Sequence, residues 1–515
     1  MFQTRKYLLI IFVAIFLFAN ACGSKKIEPT YIPNDVSGVI CIDLKSMSNK
    51  ATDFSNAIKV MSGDKYSFIN QAFNAGLDYQ KQAYIFVYSS PELSQNYTAG
   101  YMPLTSAKTF ETALKKSIQE NKMNNEMKKK DGWHYFSHEN QAILMWNEKQ
   151  VFFLVKGDKS DEEKLFVEAQ KILKTPQTES LEAKQTSFKN LIGQNFDAAY
   201  WINPNFSTKN IPYLSNIEGL EMLLGIPKLI DEQFGTMSFE KGEILTKNTI
   251  KFNTENFKKF KNLIKPSYNQ DLAKNIPLSD PIFVASFGLD MRGLEKTLDE
   301  LKFLEKLKIQ VSLLDMKIED FFTMLSGDVV ISGQTYGAKD FQDNDFLIGL
   351  GLEKKELFDK FIDDISSVGL IKKKKGYYVI NYDDYRFFLI EKDKSLFLTL
   401  SPELRDKIIK ENAKISEKLA NSIGNQSLLF ALDYNKLNKF IPWDSLQTNH
   451  SSKSIYQNIF KELDTFEVQA EPWGNEIQKT NIRLKLTNKS RNSISIMAEI
   501  LEKIAKEMKE TKPNT

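Results

Sequence analysis

The chain has 515 residues, enough for two or three domains with sizeable cores. A composition of 42% hydrophobic and 26% charged residues excludes both a disordered chain and a bundle of membrane spans. The 69 basic and 66 acidic residues leave a formal net charge of +3, which gives no electrostatic footprint for nucleic acid or for an anionic membrane surface.

At the amino terminus Arg5 and Lys6 precede an apolar run from Leu8 to Phe18. The run is too short for a hydrocarbon core about 30 Å thick, which needs roughly 20 residues. It has the length of a signal-peptide h-region. Ala19-Asn20-Ala21-Cys22-Gly23-Ser24 follows. A cysteine there is chemically apt, because its sulfur takes a diacylglycerol and a peptidase cuts before it. Here the sequence resembles bacterial lipoproteins: Ala21 and Cys22 match the lipobox, whereas Ala19 and Asn20 depart from its commonest form. Residues 1–21 are therefore expected to be a signal peptide cleaved after Ala21, and residues 22–30 a lipid-bearing Cys22 with a polar tether. Ala19-Asn20-Ala21 also satisfies the A-x-A rule of an ordinary secretory signal, which would release a soluble periplasmic protein by the same cut. Loss of Arg5 and Lys6 leaves 67 basic and 66 acidic residues, and Cys41 becomes the one thiol left to a mature chain acylated at Cys22. No internal disulfide can form, so stability must come from burial.

The body repeats itself. Ile32-Pro33-Asn34-Asp35 leads into an apolar strand ending at Asp43, and Ile276-Pro277 leads into another ending at Asp290. Apolar residues at helical spacing follow in both: Phe110, Leu114 and Ile118, then Phe358, Ile362 and Ile365. Lys128-Lys129-Lys130-Asp131-Gly132-Trp133 matches Lys373-Lys374-Lys375-Gly376-Tyr377. Two hairpin strands come next, 143–146 and 151–155, then 387–390 and 395–399, each pair joined by four polar residues. The offset between the copies then falls from 244 to 231 residues, so the first copy carries extra chain between Val155 and Ile192. Beyond it, strands at 196–202 and 428–432, strands around Ile250 and Ile482, and helical tails at 257–264 and 493–508 complete the series.

These blocks predict an α+β protein of two tandem homologous domains, each an antiparallel sheet with helices packed on one face. Repeat 1 spans 31–265, a polar linker 266–275, repeat 2 276–508 and a tail 509–515. The pattern is similar to a family of Bacteroidetes lipoproteins of about this length known as a domain of unknown function. The lipobox, the Ile-Pro-x-Asp start, Asp43-Leu44 and the layout carry that resemblance. It implies an envelope address and brings no functional residue beyond Cys22.

The inventory for chemistry is poor. His134, His138 and His450 are the three histidines, and the second copy has none at the strand that matches 134–138, so they read as surface or strand residues rather than metal ligands. Cys41 in Val39-Ile40-Cys41-Ile42 reads as a buried small hydrophobe. Asp43 and Asp290, each just after a strand, read as helix N-caps. Asp363-Asp364 and Asp383-Asp384 read as exposed, and the lysine runs at 128–130 and 372–375 as solvated loop ends. No nucleophile elbow, phosphate loop, dinucleotide fingerprint or zincin helix occurs. No catalytic or metal residue and no cofactor is assigned. The expected function is a non-enzymatic envelope binding or accessory module, held to the membrane by its acyl chains and meeting envelope protein partners. A hydrolase of envelope polymers or exported peptides and a carrier of an apolar ligand are the alternatives. In the lipoproteins it resembles, an acidic run after the cysteine often goes with the cell surface; Lys25-Lys26 here is basic, so the expected location is the outer membrane facing the periplasm, with the cell surface as the alternative.

Overall fold

The computed structural model describes residues 31–50, 76–89, 96–120, 126–203, 230–265, 281–300, 316–335, 344–382, 385–410, 426–441, 457–472 and 476–500, together with Leu272, Ile276 and Leu278. Ala21, Cys22, the tether, most of the linker, His450, Asp383, Asp384 and the tail lie outside the described residues. The chain forms two compact units. One comprises residues up to 250 with 447–462 and 486–515; the other comprises 251–446 with 463–485.

The first unit is built on strands β1 (Gly38–Asp43), β2 (Gln82–Tyr88), β3 (Tyr97–Pro103), β4 (Lys128–Lys130), β5 (Trp133–His138), β6 (Ala142–Trp146), β7 (Gln150–Lys156), β8 (Ala198–Ile202), β9 (Ile230–Glu240) and β10 (Glu243–Phe252). They lie in the order β4-β5-β6-β7-β3-β2-β1-β8-β9-β10, and every pair whose register is described is antiparallel. Helices α1 (Leu44–Lys50), α2 (Ala107–Glu120), α3 (Glu162–Leu173), α4 (Leu181–Lys184) and α5 (Thr186–Ile192) pack on this sheet.

The helices do not keep to one face. Phe110 and Leu114 of α2, with Ile494 and Ala498 of helical residues 493–500, share a core with Ile42, Met102 and Trp146. Leu165, Phe166 and Ala169 of α3 and Phe188 of α5 share a second core with Val39, Cys41 and Phe152. Neighbouring residues of one strand therefore enter opposite cores. The expectation of a single covered face is corrected. The central strands are apolar at consecutive positions, as in Val39-Ile40-Cys41-Ile42, and such runs require burial on both sides.

The second unit holds β11 (Phe283–Gly288), β12 (Leu325–Thr335), β13 (Asn344–Leu352), β14 (Ile371–Lys374), β15 (Tyr377–Tyr382), β16 (Tyr385–Lys392), β17 (Ser395–Thr399), β18 (Leu428–Asp433), β19 (Leu463–Ala470) and β20 (Ile477–Leu486). Their order is β14-β15-β16-β17-β13-β12-β11-β18-β19-β20, strand for strand that of the first unit. Helices α6 (Thr254–Lys261), α7 (Met291–Glu300), α8 (Ile318–Thr323), α9 (Lys355–Ser367), α10 (Pro402–Lys410) and α11 (Tyr434–Phe440) belong here. Phe358, Ile362 and Ile365 of α9 enter one core with Leu396, while Leu404 and Ile408 of α10 enter another with Phe397.

Strand ends obey local chemistry. Asp43 accepts from the Ser46 backbone N–H at 2.8 Å and Asp290 from that of Gly293 at 2.8 Å, so both cap the helix that follows, as their positions predict. The Lys130-to-Trp133 hairpin turns through Asp131 and Gly132, both at positive φ, the pairing favoured in a two-residue loop. The lysine runs are not loop ends: Lys128–Lys130 and Ile371–Lys374 are strands. Likewise β16 and β17 run on until only Asp393 and Lys394 join them, so the expected four-residue loop is shorter.

Candidate binding site

The first unit contains a cavity of about 650 Å³ whose walls can be built from the register. Tyr88 at the end of β2 lies opposite Tyr97 at the start of β3, and Tyr97 lies opposite Lys156 at the end of β7. Directly opposed residues share a face of the sheet. Three distant segments therefore set a Tyr-Tyr-Lys row side by side. The tyrosine rings stack with centroids 5.1 Å apart and planes 12° apart.

Helix α3 covers the row. Asp161 caps it, accepting from the Lys164 N–H at 2.8 Å. Lys128 pairs with Glu162 at 2.7 Å and Lys130 with Glu163, which fixes the first turn to β4. Further along, Glu168 meets Lys156 at 2.7 Å, and Lys171 and Ile172 face the cavity. The wall continues through Lys174, Thr175, Pro176 and Glu179. Pro33, Asn34 and Asp35 close the other side, held there by the Pro33–Ser180 bridge and by the Leu181 N–H donating to the Ile32 carbonyl at 2.8 Å.

The electrostatics are balanced: Asp35, Glu168 and Glu179 face Lys156, Lys171 and Lys174. Burial, reinforced by the charges of Asp35 and Glu168 and by Tyr88, pushes the Tyr97 hydroxyl above its ordinary value. Like any tyrosine hydroxyl at neutral pH it is protonated and has a hydrogen to donate.

The whole α3 and 174–179 wall falls between Val155 and Ile192, where the repeat offset drops from 244 to 231 residues. In the second unit β12 and β13 pair through Gln334 and Asp345 at the register of Tyr88 and Tyr97. Asp345 is 4% exposed, and burial raises its carboxyl while a hydrogen bond from Ser401 opposes the rise. The aromatic row is thus a property of the first unit.

Residues 30–494 match the family described as a domain of unknown function, DUF4836. The chain belongs to that family. No curated protein matches this DUF4836 chain. Among solved structures, crystal form I of TP0453 is similar to it with a TM-score of 0.28 at 9% identity, over 44% of this chain and 81% of that one. Crystal form IV of TP0453 gives a TM-score of 0.27 at 9% identity, over 45% and 85%. Likeness of that order assigns neither fold nor activity.

The residues singled out in the sequence of this DUF4836 protein fall elsewhere. His134 stacks on Trp146 and lies 3.4 Å from Glu111, and His138 lies 3.8 Å from Glu139. Both are on β5, and four residues of strand separate them by about 13 Å, too far to share an ion. Among the described residues no group of three or more His, Cys, Asp or Glu side chains is placed to hold a metal. Cys41 is 1% exposed and burial pushes its thiol far up, which removes the nucleophilic thiolate. Asp363 is exposed, whereas one carboxylate oxygen of Asp364 is buried, so that pair is only half as open as its sequence implies.

Sequence reading missed the best-connected carboxylates. Asp197 accepts from Ser46, from Lys50 at 2.8 Å and from the Phe239 N–H at 2.5 Å, and ties α1 to β9. Asp328 takes Lys265 at 2.9 Å and Ser326 at 2.7 Å. Each is almost fully buried beside a lysine, and Lys50 also holds Glu240 at 2.8 Å. These are structural anchors. The signal that marks them, a lone Asp beside an apolar strand, is too common to single them out.

Proposed function

We propose that this protein is a Bacteroidetes-type envelope lipoprotein that works as a non-enzymatic binding module, with the cavity of the first unit as its ligand site. The stacked Tyr88–Tyr97 pair beside Lys156 on the cavity floor is the observation that carries this reading. A cavity of that size lies within the range of small-molecule sites, roughly 300–1,000 Å³. Its lining of six charged side chains speaks against an apolar cargo, and the Lys156–Glu168 pair occupies one acid that a hydrolytic pair would need. In this reading Cys22 is the acylated residue after cleavage at Ala21, and the acyl chains hold the protein on the periplasmic side of the outer membrane. The tether of residues 23–30 reaches at most roughly 25–30 Å, so the folded part stays near that surface. The body arose by duplication of repeat 1 (31–265) into repeat 2 (276–508), which the common strand order supports. One copy kept or gained a cavity wall.

Two experiments test it. Labelled palmitate should enter the wild-type chain and not Cys22→Ser, which should also leave the membrane; equal labelling of both removes the anchor. The detergent-solubilised protein, purified from envelopes, should carry a small molecule detectable by mass spectrometry that Tyr88→Ala loses. Identical small-molecule content in both proteins would refute the cavity as the site.

A further inference from the structure

We infer that the cavity of the first unit is a saccharide site, taking an uncharged sugar ring against Tyr88 with its hydroxyls on Lys156, Glu168 and the Tyr97 hydroxyl. This rests on the proposal that the cavity binds a ligand, and it names the class of that ligand.

Three features point to a ring rich in hydroxyls and without net charge. The first is a flat apolar surface beside polar groups. Tyr88 packs one face on Tyr97 and remains half-buried, so its other side is left for a ligand. Tyr97 is braced in turn by the edge of Phe86, with centroids 6.4 Å apart, so the platform is fixed before binding. Rigid aromatic surface gives contact area at little entropic cost. The C–H face of a sugar ring is its natural complement.

Donor and acceptor placement is the second feature. The Lys156 ammonium and the Glu168 carboxylate lie 2.7 Å apart, with side chains 14% and 28% exposed. Each neighbouring hydroxyl of a vicinal diol both donates and accepts. Such a diol can accept from Lys156 and donate to Glu168 without separating the ion pair. Tyr97, which lines the cavity, supplies a further donor through its hydroxyl.

Charge is the third. Three carboxylates and three ammonium groups face the space, so neither an anion nor a cation finds a field that favours it over water. A neutral ligand loses nothing by that balance and can use the polar groups singly.

The test is isothermal titration of the full-length protein in detergent with maltotriose, chitotriose and xylotriose, beside the zwitterionic tripeptide Gly-Lys-Glu. At least one neutral trisaccharide should bind. Tyr88→Ala should weaken it at least tenfold, and Tyr88→Trp, which keeps a flat ring, should preserve it. Lys156→Met should weaken the same sugar, and equal thermal midpoints for all variants would show that the fold is retained. If the tripeptide binds, depends on Tyr88 and the sugars do not bind, the saccharide class is wrong while the cavity remains a ligand site. If neither sugars nor peptide bind, the saccharide assignment is overturned, and the co-purification experiment decides the cavity separately. Sugar binding that survives Tyr88→Ala and Lys156→Met unchanged would also overturn it, because the sugar would then sit elsewhere.

Discussion

Tyr84, Tyr97 and Tyr101 are 4%, 9% and 3% exposed, and burial raises all three hydroxyls. Their ordinary value is 10.0, so in the unfolded chain they ionise first. Above pH 10 the unfolded state holds fewer protons than the folded one. Stability is therefore intact below pH 10 and falls as pH rises above it, by up to about 1.4 kcal/mol per pH unit for each tyrosine. Urea midpoints measured from pH 8 upward should stay level and then drop steeply, with phenolate absorbance growing alongside unfolding. Tyr84→Phe should flatten that drop. Single residues show where sequence reading succeeds and where it stops. Cys41 and the Asp43 and Asp290 caps are legible because burial and capping are local properties. Tyr88 and Lys156 were invisible as a pair because only the β2–β3–β7 register joins them. Asp433 follows the same capping rule, accepting from the Lys436 N–H at 2.9 Å, but the strand before it ends one residue later than its apolar run.

At the scale of elements, turn chemistry can be separated from packing by two glycines. A Cβ on Gly132 or on Gly157 would meet nothing within 4 Å. Gly132 has φ +79°, which an L side chain resists, and Gly157 has no such constraint. Gly132→Ala should cost about 1 kcal/mol or more and lower the thermal midpoint. Gly157→Ala should stabilise the protein by about 0.4–1 kcal/mol, through a less free unfolded chain, and raise the midpoint. Equal effects of the two would mean that the Asp131-Gly132 turn is not what sets the hairpin. Helices and hairpin strands were legible here because period 3.6 and paired apolar runs are strong signals. The layering was not. A consecutive apolar run tells how much of a strand is buried but not which helix covers which side, and α3 lies in the stretch where the two copies differ.

For the whole molecule, contiguity in sequence and compactness in space diverge. Ile494 and Ala498 are 0% and 1% exposed in the core of the first unit, and the Asn492 side chain donates to the Phe239 carbonyl at 2.9 Å. A fragment ending at 265 loses these contacts. Deleting one large buried side chain already costs roughly 2–5 kcal/mol, against a total stability of about 5–15 kcal/mol. The fragment 31–265 should therefore unfold at a much lower urea concentration than the first unit does in the full chain, or fail to fold. Adding residues 486–508 as a separate peptide should restore protection of amides in α2. A fragment as stable as the intact unit would contradict this. The repeat pattern reveals how many copies of the strand order there are, because it is written in order along the chain. It does not reveal which segment completes which core, because that depends on contacts some 250 residues apart in sequence.

Strands β4 and β14 stand at the outer ends of their strand orders, with β5 and β15 as their described partners. An outermost strand offers open amides and carbonyls to any other extended chain. Here that invitation is withdrawn by charge, since Lys128, Lys129, Lys372, Lys373 and Lys374 are exposed along the two edges. A second copy docking edge to edge would have to bring like ammonium groups together and strip them of water. The lysine runs thus act as insulation against edge-to-edge pairing. Replacing Lys372, Lys373 and Lys374 with threonine, a good strand former, should leave the monomer folded yet make concentrated solutions scatter light and bind amyloid dyes, most of all at low denaturant where the edge is intact. If the proposed acyl anchor holds the protein on a membrane, where neighbours are crowded into two dimensions, a variant without that insulation would polymerise there.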